Sequence, residues 1–122
     1  MNDCVFCNNN FDIIYEDELV FAMYDKYPVS KGHILIIPKV HVSTYFDASI
    51  KIRKSIDKAL FELKDLLDKE YSPDGYNIGI NNGYVSGQTI FHLHVHLIPR
   101  YNGDVKDPTG GVRGVIPSKQ KY

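Results

Sequence analysis

Apolar and polar positions along the chain first mark two short β-rich runs, Ile13–Glu16 and Leu19–Tyr24, parted by Asp17-Glu18 as in a hairpin. Tyr27-Pro28-Val29-Ser30-Lys31-Gly32 is loop chemistry. His33-Ile34-Leu35-Ile36-Ile37 then forms a nearly unbroken apolar run ended by Pro38, which predicts a central strand covered on both faces. Between Ile50 and Tyr71 the period changes. Ile52, Ile56, Leu60, Leu63 and Leu67 recur at intervals of four, four, three and four, one stripe of a helix. Asp47 or Ser49 can cap its start, Ser72-Pro73-Asp74-Gly75 ends it, and the intervening Lys, Glu and Asp residues form its solvated face. Tyr76–Ile80 and Ile90–Ile98 read as two further strands around the glycine-punctuated loop from Asn81 to Gly87. Strands flanking one long helix predict an α+β domain, a mostly antiparallel sheet with the helix packed on it. It would span residues 1–122 as one domain, with an irregular tail over 101–122.

Composition narrows what such a domain can do. With 122 residues, 43% of them hydrophobic and 24% charged, the chain can bury an ordinary globular core. A net charge of -1 argues against gripping a nucleic acid polymer, which needs a basic excess. It leaves room for a single nucleotide, because backbone N–H groups and neutral imidazoles can hold a phosphate. No segment approaches the ~18 consecutive apolar residues of a membrane span. Met1-Asn2-Asp3-Cys4 lacks the regions of a signal peptide, so a cytoplasmic protein is expected. The two cysteines, Cys4 and Cys7, form a C-x-x-C. In a reducing compartment that spacing points to metal binding or redox chemistry more than to a structural disulfide.

Three of the five histidines, His92, His94 and His96, stand at alternate positions in Phe91-His92-Leu93-His94-Val95-His96-Leu97-Ile98. On a strand they would share one polar face while Leu93, Val95 and Leu97 enter the core. Adjacent members would lie about 6.6 Å apart and the outer pair roughly 13 Å apart. Metal–nitrogen bonds of about 2.0 Å need the ligand atoms to converge. One ion cannot easily take all three, and separate roles are expected.

This stretch resembles the histidine-triad motif of the HIT superfamily, His-φ-His-φ-His-φ-φ with φ apolar. A second stretch, Asp25-Lys26-Tyr27-Pro28-Val29-Ser30-Lys31-Gly32-His33 through Ile37-Pro38-Lys39-Val40-His41, resembles the family's Asp…Pro…Gly-His-φ-φ-φ-φ-Pro-Lys-x-His segment. The resemblance implies an enzyme of purine nucleotides that cleaves or transfers at the α-phosphorus, with His94 as nucleophile. Imidazole suits this, since an ordinary pKa near 6.5 leaves it largely neutral at pH 7. The other ring nitrogen of His94 would then donate to a backbone carbonyl. By the same resemblance His96 steadies the phosphate or the leaving group, and His33 supports the triad from a neighbouring strand. Asp25 would accept the ribose hydroxyls, with Asn81, Gln88 and Thr89 near the phosphates. Tyr15, Phe21 and Met23 are candidates for a base pocket, Arg100 or Arg113 for a distal phosphate.

Many prokaryotic members combine a C-x-x-C with two histidines around a structural zinc, which implies Cys4, Cys7, His41 and His92 here, with residues 1–10 as the zinc-binding N-terminus. Cys₂His₂ fills a tetrahedron and leaves no catalytic position open. The resemblance also implies a homodimer through the long helix and an edge strand. Three substrate classes stand open: dinucleoside polyphosphates cleaved by water, the same cleaved by phosphate, and nucleoside phosphoramidates. The tail favours the dinucleoside polyphosphates. Beside catalysis through His94, a nucleotide-binding regulatory module with incidental turnover and a catalytic zinc hydrolase are the competing readings.

Overall fold

The computed structural model describes residues 4–7 and 11–122, so part of the expected zinc-binding N-terminus, residues 1–3 and 8–10, lies outside the described residues. Five strands form one sheet: β1 (Ile13–Glu16), β2 (Val20–Tyr24), β3 (Ile34–Pro38), β4 (Gly75–Gly79) and β5 (Val95–Arg100). Their order is β1-β2-β3-β5-β4, and every pairing is antiparallel. The helix α1 (Ile50–Tyr71) crosses one face. Among the described residues no helix is long and apolar enough to cross a membrane.

The helix follows its apolar period. Ile52, Ile56, Ala59, Leu63 and Leu67 are buried, and Leu60, expected in the stripe, is only half-buried because Ala59 faces the sheet squarely. Ser49 is the N-cap and accepts from the Ile52 N–H at 3.2 Å. Asp47 serves a different turn, accepting from the Thr44 N–H and hydroxyl before the helix begins. Beneath α1 lie Val20, Ala22, Ile34, Ile36, Leu93, Val95 and Leu97. Phe21, Met23, Leu35 and Ile37 turn to the other face, where Phe6 covers them. Tyr15, a candidate for that second face, packs on the helix side instead. A register shift between Ile13 and Tyr15 pairs Ile13 with Met23 but Tyr15 with Ala22, so the alternation breaks there.

The histidine-bearing strand is shorter than the apolar run suggests. It starts at Val95, not Ile90, because the ladder with β3 runs only from Ile34↔Leu97 to Ile36↔Val95. Two residues further on, Leu93 would face Pro38, which has no N–H to give. The Leu93 N–H bonds the Val42 carbonyl instead, at 2.7 Å. The tail after Arg100, expected to be irregular, contains 3-10 turns at Gly111–Val115 and Pro117–Lys119.

Entry into β3 depends on Gly32, whose φ of +88° is a conformation side chains resist, and whose missing Cβ would stand 2.8 Å from Leu67 Cδ2. Gly32→Ala should therefore cost about 1–3 kcal/mol in backbone strain alone. Urea titration of the two proteins checks this, and an unchanged midpoint would show that the turn tolerates a side chain.

Candidate active site

β3 and β5 together set the first part of the site. Leu35 and His96 are register partners, so His96 emerges beside β3 on the face away from α1, and His33 at the head of β3 meets it. The His33 Nε2–His96 Nδ1 separation is 2.9 Å, and Asp25 Oδ2 lies 3.5 Å from the same His33 nitrogen. Backbone polarity fixes which atom carries each proton. The Val29 N–H donates to His33 Nδ1 at 3.1 Å, so neutral His33 bears its proton on Nε2 and donates it to His96 Nδ1. His96 must then carry its own proton on Nε2. Two staples hold the Val29 loop to the end of β5: Ser30 Oγ donates to the Pro99 carbonyl, and the Tyr101 hydroxyl donates to the Lys31 carbonyl, both at 2.7 Å.

Burial keeps this pair neutral. It lowers the His33 pKa, with Asp25 opposing, and drives His96 down to about 4, helped by the neighbouring His94 and His33 and opposed by Asp25. His96 thus presents an uncharged N–H donor at neutral pH.

His94 is set up in the opposite sense. Its Nδ1 donates to the His92 carbonyl at 2.8 Å, which leaves an unprotonated Nε2 with a lone pair. The family resemblance implies a bond from His94 to a backbone carbonyl, and the structure has one. The His94 and His96 rings sit 5.3 Å apart, a lone pair beside a donor.

His92, expected on the polar face with the other two, is wholly buried. Its Nε2 donates to the Pro38 carbonyl at 2.8 Å, and Nδ1 turns toward Cys4 Sγ (3.3 Å), Cys7 Sγ (3.4 Å) and His41 Nδ1 (3.0 Å). Cys7 Sγ also lies 3.4 Å from His41 Nδ1. The four donor atoms fall within 4.8 Å of one another. Around a tetrahedral zinc with ordinary bond lengths such atoms would be separated by roughly 3.3–3.8 Å, and the separations of 3.0–3.4 Å here lie at or just below the short end of that range, so the set can hold the ion with a small expansion. The carbonyl on Nε2 is the usual support of a metal-bound histidine. Asp25, His33 and His96 also lie within 4.8 Å of one another, but His33 is wired the wrong way for a cation there. A metal on Nε2 would force the proton to Nδ1, against the Val29 N–H. One cluster suits a metal, and the other suits a proton.

The remaining expected residues divide. Gln88 is almost fully buried, and both of its amide hydrogens are committed, to the carbonyls of Ser43 (2.7 Å) and Ile90 (3.1 Å), while its oxygen takes the Gly83 N–H (2.7 Å). It therefore shapes the loop and keeps no donor for a phosphate. Thr89, next to it, is exposed, and Asn81 is half-buried on the same loop between β4 and β5. Phe21 and Met23 lie on the site face beneath Phe6, and both are buried. Arg100 is engaged by Asp104 at 2.7 and 2.9 Å and by Asn77 at 2.7 Å, whereas Arg113 is exposed, stacked on Tyr122, and donates from Nε to the Gln120 carbonyl at 3.3 Å. Sequence reading missed Phe6, whose ring packs on both His94 and His92, and the Val29 N–H. The one available signal for Phe6 was an aromatic residue inside the C-x-x-C; for a main-chain donor there was none.

Comparison with known proteins matches residues 8–103 to the HIT domain. Protein hit of Bacillus subtilis is 38% identical over 104 residues, covering 81% of this chain and 72% of its own length. Adenylylsulfatase HINT3 of Arabidopsis thaliana is 35% identical over 108 residues, covering 84% of this chain but only 55% of its own. A Zn-bound histidine triad family protein from Mycobacterium smegmatis superposes with a TM-score of 0.78 at 33% identity, covering 86% of this chain and 80% of its own.

The depressed His96 pKa has a stability consequence of definite sign. Below pH ~6.5 the unfolded chain protonates this residue while the folded chain refuses until about pH 4, so stability falls as pH drops through that window. The melting temperature lost between pH 7 and pH 5 should be about 2–5 °C smaller in His96→Asn than in the parent. Equal losses in the two proteins would rule out His96 as the source.

Proposed function

The chain belongs to the HIT domain family, and from that membership we propose that it is a nucleotide hydrolase or nucleotidyl transferase working through a covalent intermediate on His94. The observation that carries the reading is the bond from His94 Nδ1 to the His92 carbonyl. It leaves a neutral Nε2 able to attack without a base to deprotonate it. In the first step the Nε2 lone pair forms a bond to the α-phosphorus as the bond to the leaving group breaks. The ring becomes cationic, and the His92 carbonyl opposite Nδ1–H stabilises that charge. The Nε2–H of His96 donates to a phosphoryl or leaving-group oxygen, held in this tautomer by His33. In the second step water or phosphate attacks phosphorus, the P–N bond breaks, and His94 returns to its starting state.

Asp25 is assigned to the ribose hydroxyls; one oxygen is anchored by the Tyr27 N–H at 2.8 Å, and the other faces His33. Thr89 and Asn81 are assigned to the phosphate side of a purine nucleotide, and Gln88 to holding their loop. Dinucleoside polyphosphates are the preferred substrates, with phosphoramidates and phosphorolysis as alternatives. The Arabidopsis relative's name adds an adenylyl–sulfate bond to those worth trying. A regulatory module with incidental turnover has no comparable observation behind it.

Zinc is the metal assigned to Cys4, Cys7, His41 and His92, an assignment supported by the closeness of their donor atoms and by the mycobacterial relative being Zn-bound. Bound there, it would supply a structural cross-link with no open position for substrate. A homodimer is assigned to the β4 edge of the sheet and to α1, where Phe61 is 70% exposed midway along the helix.

Incubation with diadenosine tetraphosphate should give AMP beside ATP where water attacks the intermediate, and ADP beside ATP where added phosphate attacks it, so mass spectrometry without and with phosphate separates hydrolysis from phosphorolysis. An adenylyl adduct should map to His94. His94→Ala should lose turnover by about 10⁴-fold or more; retained turnover of every substrate class would end the enzyme reading. Native mass spectrometry tests the assembly. Two chains with one zinc each are expected, Cys7→Ser should lose the metal and melt at a lower temperature, and His94→Ala should keep it. A metal-free or single-chain mass would remove the corresponding assignment.

A further inference from the structure

The Cys4–Cys7 turn does more than supply two thiols. It is closed by the Cys7 N–H on the Cys4 carbonyl at 3.1 Å, and its thiols face His41 and His92. Phe6, between them, turns inward and is the one buried residue of the four, only 7% exposed. Its ring centroid stands 5.1 Å from that of His94 and 5.8 Å from that of His92, inside the range of aromatic pairing. Behind it, Phe11 lies 6.1 Å away and stacks in turn on Phe21 of β2, so the ring is supported from the sheet.

His94 needs such a neighbour. The bond to the His92 carbonyl holds one ring nitrogen but leaves the imidazole able to swing about it. A swing moves Nε2, the atom that must point at phosphorus, and small misplacements of a reacting atom are costly. His96 packs on one side of the ring at 5.3 Å, and Phe6 supplies the other aromatic contact at 5.1 Å. We propose that Phe6 is a positioning residue for His94, and that the Cys4–Cys7 turn is the clamp that holds it in place. The metal cluster is then coupled to the nucleophile along two routes: the His92 carbonyl on Nδ1, and the tilted Phe6 ring against the imidazole. The inference rests on His94 being the nucleophile, as proposed above.

Phe6→Leu and Phe6→Tyr separate positioning from packing. Leucine keeps an apolar plug without a ring; tyrosine keeps the ring. Phe6→Leu should lower kcat and the rate of adenylyl-His94 formation by roughly 10- to 100-fold with KM within about twofold. Phe6→Tyr should restore most of the loss. Zinc content measured on the denatured proteins should be the same in all three. Nitrogen–proton correlation spectra of the histidine rings should show a single Nδ1–H tautomer for His94 in the parent and in Phe6→Tyr, and a mixture in Phe6→Leu. Three results would overturn the proposal: parental kcat in Phe6→Leu, a change in KM alone (which would make Phe6 a substrate contact), or a loss of rate that merely tracks loss of zinc. If the parent turns over substrate without an adduct on His94, the nucleophile assignment fails first and takes this inference with it.

Discussion

A neutral imidazole has two nitrogens and one proton, so the group that engages one nitrogen decides what the other can do. The site is built on that constraint. Carbonyl oxygens of Pro38 and His92 take the protons of His92 and His94, which turns an unprotonated nitrogen of the first toward two cysteines and a histidine, and leaves the second an unprotonated Nε2. A main-chain N–H, from Val29, does the reverse to His33, so the His33 proton is donated to His96. Four rings of one chemical kind thereby acquire a metal-directed lone pair, a nucleophilic lone pair, a donor to a neighbouring ring and an outward donor. None of these requires a strong charge. The lowered pKa values of His33, His92 and His96 follow from burying the rings, and they keep the pattern neutral near pH 7.

The sheet gives the pattern its rigidity. Leu93, Val95 and Leu97 sink into the core beneath α1, each worth about 1.5–3 kcal/mol of burial, while the histidines between them are directed elsewhere. Any rotation of this segment would lift those residues out of the core. Gln88 acts in the same way on the adjoining loop, joining Gly83, Ser43 and Ile90 through one buried amide. Such an amide would be costly if any of its bonds were lost.

Much of this was legible in the sequence because it is periodic or local. The helix announced itself through its apolar spacing and through Ser49 and Ser72 at its ends. The alternate histidines and the Asp25–His41 segment carried the family resemblance. What escaped was non-local. Ile90–Ile98 reads as one strand, and only the register with β3 reveals that Leu93 faces a proline and must find Val42 instead. Tyr15 changes face through a register shift that no residue type signals. Gln88 has the right composition for a phosphate ligand, but burial has used its donors. Phe6 meets His94 across most of the chain's length, and a contact of that kind leaves no trace in spacing.

The staples at Ser30 and Tyr101, the Val29 N–H and the carbonyls of Pro38, His92 and Val42 share one property: at least one partner is main chain. Side-chain replacement at Val29, Val42 or Pro99 deletes none of these groups, apart from proline where a donor is needed. Sequence drift at such positions is therefore nearly silent for the wiring. Changes of length are another matter, since one residue gained or lost between Asp25 and His33, or between Gln88 and His96, would move the main-chain group away from the ring it meets. The scaffold should be permissive in letters and strict in counting.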